Sequence, residues 1–233
     1  ETGIQQMVEN ITAGTYLEWM EEQLKSMTMD RLMDLIVRGG DARATAVHVL
    51  MVNCSNITLF NNIITPQAEN SRYLDDNLNY GIVMIDCHDN LVEEITMPAY
   101  RSHTYWSVRH SVNTALYMVN SHDNIIRNLT VEDRSFYQSS VVVKPEVVLI
   151  KDSEGNILEN MNVRSGGITV LNSDRTIVIN TYAKNGLVLT GSDDCILHSF
   201  SGYAQVNRPN YNHVSSTIKV TNCNSLHIHD STF

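Results

Sequence analysis

The chain has 233 residues, of which 42% are hydrophobic and only 18% charged, with a formal net charge of −10. That apolar fraction is enough for a sizeable core, and the acidic balance argues against nucleic acid or an anionic membrane as a partner. No stretch nears the ~18 consecutive apolar residues of a membrane span, so no membrane insertion is expected.

The first segment reads as helix. Thr15-Tyr16-Leu17-Glu18 has the form of a capping box, and Leu17, Met20, Leu24 and Met27 come after it at helical spacing. Leu32, Leu35 and Ile36 continue the apolar face, and Gly39-Gly40 ends it. Residues 1–40 are therefore expected to form an amphipathic helical cap that protects the open edge of the strands after it. A stalk or oligomerisation helix remains the alternative.

From residue 41 onward the pattern changes to a degenerate repeat. Short polar turns are each followed by an aliphatic residue, in NCSNITLFNNIIT from Asn53, DCHDNLVEEITM from Asp86, NSHDNIIRNLTVED from Asn120 and DSEGNILENMNVRS from Asp152. NSDRTIVINTYAKN from Asn172, GSDDCILHSFSGY from Gly191 and TNCNSLHIHDSTF from Thr221 complete the series. Aligned on Ile57, Leu91, Ile125, Ile157, Ile177, Ile196 and Leu226, the repeat has spacings of 34, 34, 32, 20, 19 and 30. The shortest spacings give a minimal unit, and the longer ones read as that unit plus a loop. Aliphatic runs such as Ile82-Val83-Met84-Ile85 precede the turns, and alternating apolar residues come after them. Strand, polar turn and strand at a fixed period describe a solenoid whose units bury their apolar faces on one another. Asn suits such turns because its side chain bonds nearby backbone and tolerates left-handed conformation. The alignment places Asn56, Asn90, Asn124 and Asn156 at one position of four coils.

The repeat over residues 46 to 233 resembles the pectate-lyase-like superfamily of β-helices, which includes polysaccharide lyases, pectin-type hydrolases, and phage tailspikes and appendages. The fold class expected is all-β, a right-handed parallel β-helix over 41–233 behind the helical cap over 1–40. The resemblance implies a polysaccharide or other cell-surface glycan as partner, an extracellular or virion-surface location, and a homotrimer.

The long loops begin near Pro66, Pro98, Asp133 and Ser201, shortly after the post-turn strand, and should crowd one side of the stack. The loop from Pro98 to Val112 carries Tyr100, Arg101, His103, Tyr105, Trp106, Arg109 and His110, and a second cluster holds Tyr203, Arg208, Tyr211 and His213. Aromatic faces suit sugar rings, and guanidinium forks suit carboxylate or phosphate. These residues are the expected substrate-binding set, with packing of the loops onto the stack as the alternative. Arg164, Arg175, Lys184, Asp193 and Asp194 are expected near a groove floor left open by the short coils.

Asp193-Asp194-Cys195-Ile196 is similar to the Asp-Asp-Cys-Ile run of pectin-type hydrolases, in which paired carboxylates activate water and protonate the leaving group. Asp193 and Asp194 are the catalytic candidates by that resemblance. The companion Asn-Thr-Asp, Gly-His-Gly and Arg-Ile-Lys motifs of the family are absent here, which leaves a solvated turn as the other reading. His88-Asp89 and His122-Asp123 recur one coil apart and read as stacked turn residues; no metal or cofactor is expected. Cys54 and Cys87 fall at matching positions of adjacent coils and read as stacked thiols. The function expected is recognition, with or without cleavage, of a cell-surface polysaccharide. The alternative is a non-enzymatic structural or adhesion domain.

Overall fold

A computed structural model describes residues 45–65, 78–98, 100–101, 109–110, 114–132, 146–164, 166–202 and 217–232. The helix expected over 1–40 lies outside them. The described residues are all-β and form a parallel β-helix. Its first sheet has seven strands, Thr45–Val52, Leu78–Ile85, Thr114–Val119, Glu146–Lys151, Gly167–Leu171, Leu187–Thr190 and Ile218–Thr221, each hydrogen-bonded to the next in that order. The second sheet runs alongside, from Thr58–Ile63 and Leu91–Met97 to His227–His229. Between them it is split within each coil into two short strands, as in Ile157–Glu159 with Asn162–Val163 and Ile177–Ile179 with Tyr182–Ala183. All pairings within these two sheets are parallel and join one coil to the next.

Left-handed residues make the corners. The turn from first to second sheet has two, Asn53, Asp86, Asn120, Asp152, Asn172, Gly191 or Asn222, followed by Asn56, Asp89, Asp123, Gly155, Arg175, Asp194 or Ser225. The bend within the second sheet has one, Asn61, Glu94, Asn128, Asn160, Asn180, Ser199 or Asp230. All have φ between 47° and 67°. An L-residue loses roughly 1–2 kcal/mol in this region, and Asn and Asp least among those with side chains, so their abundance at these positions has a steric cause.

Two ladders tie the turns together inside the stack. Asn90 donates through its backbone N and its Nδ2 to Asn124 Oδ1, at 3.1 and 2.9 Å. Asn124 donates likewise to Asn156 Oδ1 at 2.9 and 3.1 Å. The second ladder runs through Cys54, Cys87, Ser121, Ser153, Ser173, Ser192 and Cys223. Each hydroxyl or thiol donates to the carbonyl two residues earlier, as Ser153 Oγ does to Lys151 O at 2.7 Å. From Cys87 to Ser192, the backbone N of each donates to the side chain of the next, as Ser121 N does to Ser153 Oγ at 2.9 Å. Cys54 and Cys87 thus occupy matching positions as free thiols, and burial pushes the Cys87 thiol above its ordinary range.

The register differs from the sequence alignment by one residue in the first and last coils. Leu91 pairs with Thr58, not Ile57, and Ile196 pairs with His227, not Leu226. Ile57 instead heads the asparagine ladder, donating its backbone N to Asn90 Oδ1 at 2.9 Å, and Asn56 is a left-handed corner beside Asp89. In both terminal coils an aliphatic residue stands one place early, where the inner coils have Asn, Thr or Cys.

The core is a set of stacked columns. Ile82, Leu116, Val148, Ile168 and Leu187 form one from the first sheet, and Met84, Met118, Ile150, Val170 and Leu189 another. Val92, Ile126, Leu158, Val178 and Leu197 face them from the second sheet. Full burial of each such side chain contributes about 1.5–3 kcal/mol, so the columns supply most of the drive for coil to stack on coil.

Candidate functional sites

The connection returning from second sheet to first is where the coils differ. In two consecutive coils it is minimal, residues 164–166 and 184–186. In the others it holds the long insertions, residues 64–77, 98–113, 132–145 and 203–217. The loops therefore leave one corner of the stack, as their positions in sequence imply. Loops that depart together from a rigid scaffold are suited to recognition.

In the loop between Met97 and Thr114, Tyr100–Arg101 pairs antiparallel with Arg109–His110, Tyr100 opposite His110 and Arg101 opposite Arg109. A two-stranded ribbon thus carries four of the residues named for glycan contact. His103, Tyr105 and Trp106 at its connection, and Tyr203, Arg208 and Tyr211, lie outside the described residues. Arg164 and Lys184 sit at this same corner.

Arg175, Asp193 and Asp194 do not. They stand in the turn between first and second sheet, in register with Glu154-Gly155 and Asn224-Ser225. The first sheet separates this turn from the loop corner. Its four-residue strand Leu187–Thr190 spans roughly 13 Å at 3.3 Å per residue. The two groups expected to share one groove floor thus flank the outer face of the first sheet from opposite sides.

Within the turn, Asp193 belongs to a third ladder. Its backbone N donates to Asp174 Oδ1 at 2.7 Å. Its carboxylate accepts from Asn224 N at 2.7 Å and from Asn224 Nδ2 at 3.2 and 3.1 Å. These bonds, backbone first, hold the Asp193 carboxyl below the usual range. A carboxyl so held is an anion at neutral pH and can act there as a base, not as an acid. Asp194 is the exposed left-handed corner, φ 54°. Because Asp193 titrates lower folded than unfolded, its contribution to docking the last coil is full above the ordinary carboxyl range and is lost as pH falls through its depressed folded value. Protection of the Asn224 amide, its exchange relative to the unstructured rate at the same pH, is expected to fall over that acid window. An Asp193→Asn variant should lack this pH dependence, and an identical profile in variant and parent would refute the assignment.

The ridge one residue earlier than Asp194 also carries His88 and His122, stacked in adjacent coils. His122 Nδ1 accepts the Glu154 N–H at 3.1 Å, and Nε2 lies 3.2 Å from Asn120 Oδ1. That assigns the proton to Nε2 and commits both ring nitrogens. His88 Nδ1 lies 3.0 Å from Asp89 Oδ2. In the present side-chain conformers no three His, Cys, Asp or Glu groups among the described residues converge as a metal set.

A further group was not singled out in the sequence. His198, His227 and His229 stand on the outer face of the second sheet in the last two coils. The signal that finds them is the alternation His227-Ile228-His229, which puts both rings on one face of a strand.

No family model and no curated protein matches the chain. Among solved structures, one similar chain is described as a "putative glycosyl hydrolase" from Parabacteroides merdae, 12% identical, covering 88% of this chain and 86% of that one with a TM-score of 0.32. A likeness this remote carries no activity across.

Proposed function

We propose that the protein is a surface-exposed β-helix that recognises a cell-surface polysaccharide through its loop corner. The observation that carries this reading is the common departure point of the long loops, with two minimal connections, residues 164–166 and 184–186, in the coils between them. The loop sequences add Tyr100, Arg101, His103, Tyr105, Trp106, Arg109 and His110 in an insertion before the two minimal connections, and Tyr203, Arg208 and Tyr211 in the insertion after them. Membership of the pectate-lyase-like superfamily, a tailspike-like role outside the cell or on a virion, and a homotrimer belong to the same reading. Cleavage, where it occurs, is assigned to Asp193 and Asp194 acting across the first-sheet face from the loops. The second reading, a rigid adhesion or structural domain, is favoured by the commitment of the Asp193 carboxylate to Asn224.

Incubation with a panel of capsule, lipopolysaccharide and teichoic-acid preparations tests both. Retention of one polymer is expected, weakened about tenfold in Trp106→Ala, the scale of losing one aromatic anchor. Cleavage by the parent that disappears in Asp193→Asn and Asp194→Asn while retention persists establishes an enzyme. Retention without cleavage establishes a binding module. Neither retention nor cleavage sinks the proposal and leaves the rigid domain.

A further inference from the structure

We propose that His198, His227 and His229 form a surface site for a late first-row transition-metal ion such as Zn²⁺, Ni²⁺ or Cu²⁺, with Asp230 orienting His198. In the parallel pairing of Ile196–His198 with His227–His229, His198 stands opposite His229, and His227 opposite Ile196. Opposite residues on neighbouring strands are about 4.8 Å apart, and residues two apart on one strand about 6.6 Å. Three imidazoles are therefore rooted within reach of one ion at the ~2.0–2.1 Å typical of metal–nitrogen bonds.

The rings of His227 and His229 lie parallel, 2° apart, with centroids separated by 6.3 Å. Ligation thus requires rotation about their side-chain torsions, which exposed residues make within nanoseconds. Both residues are exposed. Among the described residues nothing hydrogen-bonds their ring nitrogens, in contrast to His122, whose two nitrogens are engaged. His198 Nδ1 lies 3.7 Å from Asp230 Oδ2. That distance is longer than a hydrogen bond; a small side-chain rotation would close it, and the bond so made would hold Nδ1–H and turn Nε2 toward the ion, the arrangement that commonly supports metal-bound histidine. Neutral imidazole donors select Zn²⁺, Ni²⁺ and Cu²⁺ over Mg²⁺ or Ca²⁺.

The full chain, freed of metal, would be titrated with Zn²⁺ by calorimetry and with Co²⁺ by visible absorption. One bound ion with a tetrahedral Co²⁺ spectrum is expected. His229→Ala and His198→Ala should each weaken it at least about tenfold, since even outer partners of metal ligands act on that scale. Asp230→Asn should weaken it less, and His122→Ala not at all. Paramagnetic Cu²⁺ added to the unaltered protein gives a readout independent of variant folding. It should broaden the imidazole signals of His198, His227 and His229 before those of His88 and His122. Equal affinity in a variant lacking all three histidines, no binding tighter than millimolar, or broadening elsewhere first would overturn the proposal.

Discussion

Phe200→Ala is expected to destabilise the protein by about 3–5 kcal/mol, the range for removing a fully buried phenyl ring. Phe200 is 1% exposed and is the largest fully buried side chain among the described residues. It stands in the column just after the second-sheet bend, between Thr181 of the coil before and Ser231 of the coil after. Small neighbours on both sides mean that this one ring fills space its column does not otherwise fill, so its loss leaves a cavity that cannot collapse. Its backbone joins the next coil through Phe200 N to Ser231 Oγ at 3.2 Å and Thr232 N to Phe200 O at 2.9 Å. Urea unfolding should show a lower midpoint, and amide exchange should accelerate first in Ile218–Thr221. Solenoid coils couple mainly to their neighbours, so the loss should be greatest at that end. A change below about 1 kcal/mol would show that the ring is not packed as described.

Asn124→Ala should cost about 2–4 kcal/mol, more than an ordinary polar deletion, because the residue is fully buried and relays bonds in both directions. Its Oδ1 accepts from Asn90 N and Nδ2. Its Nδ2 donates to Asn156 Oδ1 at 3.1 Å, His122 O at 2.9 Å and Cys87 O at 3.1 Å. Alanine leaves the Asn90 N–H without an acceptor inside the stack, and the penalty for a buried unpaired donor dominates. Asn124→Asp keeps the acceptor but buries a carboxylate among carbonyls, so it should be at least as damaging near neutral pH and recover partly in acid. Equal stability of Asn124→Ala and parent in urea would mean that the ladder only accompanies the stack.

The two changes probe parts of the fold that were unequally legible. Asn90, Asn124 and Asn156 stood out as a register of polar residues. Phe200 could not be told from the loop beginning after it, since the bend at Ser199 leaves no signature stronger than a serine. The common corner of the loops also followed from spacing, whereas the match of Cys54 with Cys87 showed only as a likeness of their turns, since the 34-residue spacing of Ile57 and Leu91 sets Cys54 opposite His88. Asp193 and Asp194 resembled a catalytic pair, while the partner that engages Asp193, Asn224, lies 31 residues away in the next coil.

By itself the sequence determined the solenoid, its polar turns and the place where its insertions leave, because aliphatic runs, Asn-rich turns and coil length are local properties repeated many times. Tertiary structure decided the register where like residues crowd together or the alignment slips by one. Asn53, Asn56, Asn61 and Asn62 look alike in sequence, yet three are left-handed corners and Asn62 is a strand residue paired with Ile95. Likewise Arg175 and Arg164 look like one basic group, and the turn between the sheets puts them at different corners. The physical reason is that strand side chains alternate with a period of two, so a slip of one residue reverses which face each occupies. Only hydrogen bonding between whole coils, across insertions of unequal length, fixes that slip. The same stacking brings His198 to His229 and Asp193 to Asn224.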